Sequence, residues 1–277
     1  MTQLIEELRN IKVAIFDLDG VVYRGLEIIK GVDKVIGELK ETGVHVIYNS
    51  NNSTITRQMY VKKLKKMNIK CEFSDFYTSA SITSAEITNI KKEANIFVIG
   101  EIGLREELKA LGHKIITDET RYNEVDFVIA GLDRNFNYDN LAKAQRCILD
   151  GNAQFYATNP DTTLPAPGRL LPGAGVMVNA IETCTGKKPI KIFGKPQPDG
   201  IQLILKNYNI NPEEACIFGD RLDTDILAGN RAGITTVAVL TGVVDSAKIE
   251  ELRKTKNMDK DLLPDLTIEK MEAIFLN

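Results

Sequence analysis

Histidine is the scarcest chemistry-bearing residue in this chain, with two among 277 residues, His45 and His113. His45 sits inside the strand-like run Val44–Tyr48, and His113 follows a helix-ending Leu111-Gly112. Both read as structural, which excludes His-based zinc hydrolysis and a Ser-His-Asp triad. The four cysteines, Cys71, Cys147, Cys184 and Cys216, are far apart and form no Cys-x-x-Cys pair. They imply neither a disulfide framework nor a zinc site, but reduced thiols in a cytoplasmic protein. Charge of either sign is not in excess: 35 Lys and Arg face 38 Asp and Glu, net -3. No broad field for nucleic acid results. Apolar runs of membrane-spanning length are missing, and Met1–Asn10 is too charged for a signal peptide, so no membrane partner is expected. Internal repeats and low-complexity segments are absent too. The chemistry must rest on carboxylates, lysines, amides and hydroxyls.

The most informative stretch is Asp17-Leu18-Asp19-Gly20, directly after the apolar run Val13-Ala14-Ile15-Phe16. That run reads as a buried parallel strand. Two carboxylates therefore project from a strand end, where open α/β sheets bind ligands. Side chains two apart on an extended chain face the same way. Two like charges held so close need a cation or a shared proton to relieve them.

Four more strand-like runs end in polar residues. Val44–Tyr48 leads to Asn49-Ser50-Asn51-Asn52-Ser53, and Ile190–Phe193 leads to Gly194-Lys195-Pro196. Ala215–Phe218 leads to Gly219-Asp220, and Thr235–Leu240 to Thr241-Gly242. Helical patterns over 31–42, 56–67, 198–208 and 223–232 separate them. Alternation of this kind predicts an α/β fold with a doubly wound parallel sheet. In the second helix, Lys62, Lys63, Lys65 and Lys66 read as a solvated face beside the apolar Val61, Leu64 and Ile69.

The middle of the chain alternates independently. Strands are expected over 95–99, 114–117, 125–130 and 153–157, with helices over 102–111, 138–149 and 176–185. The Pro- and Gly-rich stretch 158–175 reads as a loop. The expected organisation is a core in two parts, 1–78 and 186–277, with an inserted α/β cap over 79–185.

On one sheet edge the strand ends supply two acids (Asp17, Asp19), a hydroxyl and amide (Ser50, Asn51), a cation (Lys195) and further acids (Asp220, Asp223, Asp225). That set suits a phosphoryl group with Mg²⁺, which prefers oxygen ligands and is held by few carboxylates plus phosphate and water. Lys195 neutralises phosphate charge and Ser50 donates to a phosphate oxygen. Plainer roles compete: Asp223 as a helix N-cap, Asp225 as a first-turn charge favoured by the helix dipole, Asn51 and Asn159-Pro160-Asp161 as turn residues.

This arrangement resembles the haloacid-dehalogenase (HAD) superfamily of phosphohydrolases. Its four motifs stand in order: Asp17-Leu18-Asp19-Gly20, Ser50, Lys195, and Gly219-Asp220 followed by Asp223 and Asp225. Asp-Gly-Val-Val-Tyr-Arg-Gly (19–25), Ser-Asn-Asn-Ser (50–53), Ala-Thr-Asn-Pro-Asp (157–161), Pro-Gly-Ala-Gly (172–175) and Gly-Lys-Pro (194–196) resemble the class IIA subgroup with a large α/β cap. That subgroup holds p-nitrophenyl, phosphoglycolate, pyridoxal-phosphate and NagD-like phosphatases. Ser50 replaces the Thr of many members, keeping the hydroxyl.

The resemblance implies a Mg²⁺-dependent phosphomonoester hydrolase for small phosphorylated metabolites, assayable with p-nitrophenyl phosphate. Asp17 would be the nucleophile of an aspartyl-phosphate intermediate, and Asp19 the general acid and then base. Asp17, the Asp19 backbone carbonyl and Asp220 would bind the metal. Asp225 would act from outside that shell, through water or by orienting Lys195. Ser50, Asn51 and Lys195 would hold phosphate. A flap hairpin is expected over Val21–Gly25. The cap loop would offer Asn159, Asp161, Thr162, Thr163, Leu164 and Arg169 to the substrate; Arg169 also reads as a surface residue. Dimers in the subgroup form through the cap, so a homodimer is a further expectation. Two rival readings are a phosphotransferase and a receiver-like phosphate-binding module. Asp19 argues against the receiver, whose aspartyl phosphate must be long-lived.

Overall fold

The computed structural model describes residues 3–166, 168–255 and 260–276, and the chain forms two compact units. The first comprises Met1–Ser50, Val61–Tyr77 and Lys195–Asn277; the second comprises Asn51–Tyr60 and Thr78–Gly194.

The first unit is built on a six-stranded sheet. Its spatial order is Leu266–Ile268, Thr235–Val239, Ala215–Gly219, Val13–Phe16, His45–Ser50 and Phe76–Thr78. Pairing is parallel across the first five strands. Every residue of Val13–Phe16 and Ala215–Gly219 is buried, which explains why they read as unbroken apolar runs rather than alternating ones. Val13, Ile15 and Ile217 pack with Ile201 and Ile204 of the helix Asp199–Tyr208. Phe16 and Phe218 stack with ring centroids 4.7 Å apart.

Register in this sheet builds the site. Phe16 pairs with Phe218 on one side and Tyr48 on the other. The three chains therefore reach the same edge together, and Asp17, Gly219 and Asn49 each come one residue later. After Asp19 the chain forms a small flap hairpin, Tyr23–Arg24 against Glu27–Ile28. Gly20 makes the turn possible with φ +88°. A Cβ there would collide with the Asp220 carboxylate.

The second unit carries a five-stranded parallel sheet in the order Lys191–Ile192, Gln154–Ala157, Phe127–Ala130, Asn95–Ile99 and Lys114–Ile115. Val128, Phe155, Ile148 and Ile181 contribute to its core. His113 is buried here: its Nδ1 accepts from the Ala94 amide at 3.1 Å and its Nε2 lies 2.9 Å from Thr88 Oγ1. Burial lowers its pKa, so the ring is a neutral structural bridge. His45 packs against Tyr208 in the first unit.

Two expectations are corrected, and one helix is added. The strand before Lys195 belongs to the second unit's sheet, where Lys191–Ile192 pairs with Tyr156 and Ala157. A two-residue edge strand carries too little side-chain pattern to reveal its partner. Stretch 158–175 is not simply a loop, because Thr163–Ala166 and Arg169–Pro172 form an antiparallel hairpin. Ser79–Ile90 is a helix that the apolar periodicity hides. Its Ser- and Thr-rich sequence is set by a capping box, with Thr78 Oγ1 accepting from the Ser81 amide at 3.1 Å and Ser81 Oγ accepting from the Thr78 amide at 2.9 Å. Among the described residues no helix is long and apolar enough to cross a membrane.

Candidate active site

Lys195 is the centre of the first unit's polar cluster. It is buried, and its ammonium donates to Asp17 Oδ1 at 2.6 Å, Asp225 Oδ1 at 2.6 Å and the Asn49 carbonyl at 2.8 Å. An ammonium has three protons, and each has an acceptor here. Burial alone would lower the Lys195 pKa, but the Asp17 and Asp225 carboxylates override it and raise it. This lysine is therefore a fixed cation.

Each acid is placed by its element. Asp17 continues the central strand, its amide donating to the Phe218 carbonyl at 2.9 Å. Asp220 follows Gly219; its Oδ2 accepts from the Val243 amide at 2.9 Å. Asp225 is carried by a π-helical turn, Leu222–Ile226, in which the Ile226 amide reaches the Arg221 carbonyl at 3.2 Å. Its Oδ2 accepts from the Arg221 amide at 3.2 Å and Thr224 Oγ1 at 3.3 Å. A side chain at Gly219 would strike Asp225, so the glycine allows this close approach.

Asp17, Asp220 and Asp225 each present an oxygen within 4.8 Å of the others. One ammonium does not balance three carboxylates. Burial raises the Asp17 pKa well above the carboxylate range; Lys195 opposes this, and Asp225 and Asp220 add to it. Burial, reinforced by Asp225, pushes Asp220 up to about 7. Such a buried oxygen-only cluster with unbalanced charge fits a hard divalent cation such as Mg²⁺.

Asp19 keeps a face open to solvent. Crowding around its carboxyl raises its pKa, while Lys63, the Tyr23 hydroxyl and Lys195 pull it down. Tyr23 Oη donates to Asp19 Oδ2 at 3.4 Å. The flap is fastened by Thr241 Oγ1, which donates to the Gly20 carbonyl at 2.8 Å, and by Arg24, which donates to the Thr241 carbonyl. Ser50 is buried at the end of its strand.

Other expected residues have contacts of their own. Asp223 faces the Arg221 guanidinium at 3.2 Å and is not in the acid cluster. Asn51, expected at the phosphate, belongs to the second unit, where its side-chain amide donates to Asp161 Oδ2 at 2.9 Å. The same oxygen accepts from the Asn159 amide at 2.7 Å. Asp161 is thus engaged in holding its own loop. Thr163, Leu164 and Arg169 lie on the hairpin, with Thr163 and Arg169 exposed. The sequence reading missed the Asn49 carbonyl, because a backbone acceptor has no residue signature. It also missed Tyr23, whose hydroxyl meets Asp19 from four residues away in the flap, and Lys63, whose approach to the Tyr23 ring is long-range.

Residues 14–114 match the family model for haloacid dehalogenase-like hydrolases, and residues 192–267 match a HAD-hydrolase-like model. An acid sugar phosphatase of Staphylococcus haemolyticus is 34% identical over 244 residues, 88% of this chain and 90% of that protein. The crystal structure of a 4-nitrophenylphosphatase from Thermotoga maritima superposes with TM-score 0.86 and 31% identity, covering 96% of this chain and 97% of that one. A p-nitrophenyl phosphatase from Archaeoglobus fulgidus gives TM-score 0.86 and 29% identity over 95% and 97% of the two chains. Motif order, parallel-sheet architecture and full-length similarity agree, and the chain belongs to the haloacid dehalogenase-like hydrolases, within the class IIA phosphatases of that superfamily.

Proposed function

We propose that this chain is a Mg²⁺-dependent phosphomonoester hydrolase that works through an aspartyl phosphate on Asp17. One observation carries the reading: Lys195 is locked between Asp17, Asp225 and the Asn49 carbonyl, with Asp220 completing a three-acid cluster. Lys195 holds one oxygen of Asp17 and leaves the other for attack on phosphorus. A new Asp17 O–P bond forms as the P–O bond to the leaving group breaks. Asp19 gives its proton to the departing oxygen, then takes one from the water that releases inorganic phosphate. The raised Asp19 pKa supports the first of these tasks, because a carboxyl must hold a proton to donate it. Asp17, Asp220 and the Asp19 carbonyl are the proposed metal ligands. The cation, when bound, would offset the negative charge of phosphate and carboxylates. Asp225 orients Lys195 and the Ser50 hydroxyl serves the phosphate; we assign the Asn51 amide to loop support instead. Acid sugar phosphatase and p-nitrophenyl phosphatases among the relatives favour small phosphate esters, sugar phosphates included.

The test is phosphate release from p-nitrophenyl phosphate and a sugar-phosphate panel, after metal removal and after Mg²⁺ is restored. The expected result is Mg²⁺-dependent turnover with one phosphate per nitrophenol, which separates hydrolysis from transfer to an alcohol. With ³²P-labelled substrate and acid quench, Asp19→Asn should retain label on the protein and Asp17→Asn should retain none. Labelled, active Asp17→Asn would overturn the assignment.

A further inference from the structure

Lys63 differs from the lysines around it. Lys62, Lys65 and Lys66 are exposed, as a solvated helix face requires, but Lys63 is half-buried. Its ammonium stands 3.3 Å from the centroid of the Tyr23 ring. Tyr23 is buried at 1% exposure and is fixed by its backbone: its amide donates to the Leu18 carbonyl at 3.2 Å, and its carbonyl accepts from Gly20 at 2.9 Å. Its hydroxyl reaches Asp19 Oδ2 at 3.4 Å. Among the described residues, that is the hydrogen bond the Asp19 carboxylate makes. Lys63 therefore reaches the sheet edge from the helix Arg57–Lys66, far in sequence from the flap.

We propose that Lys63 and Tyr23 are a positioning pair for Asp19: the ammonium pins the ring face, and the ring's hydroxyl fixes the rotamer of the carboxyl. Cation–π contact is strengthened by partial desolvation, and Lys63 has given up part of its water to make it. Burial lowers the Lys63 pKa while Asp19 raises it, as expected for an ammonium drawn toward a carboxylate. An aspartate with one hydrogen bond on an open edge has freedom to turn away; the pair removes that freedom. Proton transfer demands such placement, because the acid must lie within hydrogen-bond reach of the departing oxygen. Neither residue touches the substrate in this scheme. The inference rests on the reading of Asp19 as general acid.

The experiment compares kcat/KM for phenyl phosphate and p-nitrophenyl phosphate, two esters of similar shape. Phenolate is the poorer leaving group and needs the proton more. Tyr23→Phe and Lys63→Met should each lower kcat/KM for phenyl phosphate about tenfold or more, and for p-nitrophenyl phosphate less than about threefold. Lys63→Arg keeps a cation over the ring and should recover most of the loss. Equal losses on both esters, or none on phenyl phosphate, would overturn the positioning role. Asp19→Asn separates the two layers. If it shows the same bias toward the poorer leaving group and the Tyr23 and Lys63 variants do not, only the positioning pair fails. If Asp19→Asn shows no bias, the acid assignment fails.

Discussion

Replacing Lys195 with Met tests the electrostatic core of the site. Methionine is close to the lysine stem in length and apolar, so packing changes little. What disappears is the ammonium with contacts of 2.6, 2.6 and 2.8 Å. Asp225 is 1% exposed and Asp220 3%, so water cannot replace the lost charge cheaply. Removing one partner of a buried ion pair costs about 3–5 kcal/mol, a large part of the ~5–15 kcal/mol that stabilises a typical protein. Urea unfolding in EDTA at pH 7.5 should show that loss. The double variant Lys195→Met with Asp225→Asn should sit above Lys195→Met alone, because removing the second charge relieves the orphaned acid. A deficit under about 1 kcal/mol at pH 7.5, or a double variant no more stable than Lys195→Met, would refute the account.

The acid cluster also sets a pH dependence for the metal-free protein. Folded Asp220, pushed up to about 7, holds a proton that the unfolded carboxyl, near 3.8, has released. The folded state binds more protons, so stability falls as pH rises between those values. Thermal unfolding in EDTA should show Tm dropping from pH 5 to pH 7, and Mg²⁺ should reverse the drop at pH 7; a flat profile would contradict the burial argument. Gly219→Ala should destabilise by about 1–3 kcal/mol and lower turnover, because the new methyl meets Asp225; circular dichroism melts and a p-nitrophenyl phosphate assay read both. Asp161→Ala leaves the Asn51 and Asn159 amides without their shared acceptor. Faster amide exchange across Thr163–Pro172 is expected, measured by mass spectrometry; unchanged exchange would show that the carboxylate does not hold the hairpin.

Much of this was legible in the linear chain. The runs Val13–Phe16 and Ala215–Phe218 announced themselves because strands buried on both faces must be continuously apolar. Asp17, Asp19 and Asp220 stood out as charged residues just after such runs, and Lys195 as a cation between Gly194 and Pro196, where charge needs a reason. Less was legible where the pattern is short or diluted. Lys191–Ile192 gave no sign of which sheet it joins, and Ser79–Ile90 is specified by its cap rather than by periodicity.

By itself the sequence determined the alternation of strand and helix and the identity of the acids and the lysine at strand ends. Local patterning suffices for those features, because burial and turn chemistry act over a few residues. Only the tertiary structure decided that Asn49 lends Lys195 its carbonyl, that Asp225 is ion-paired while Asp223 points to Arg221, that Asn51 supports a loop, and that Lys63 leaves a solvated helix face to cover Tyr23. These choices depend on strand register and on approaches between residues tens to hundreds of positions apart, and the energy that selects them exists only once those chains are packed side by side.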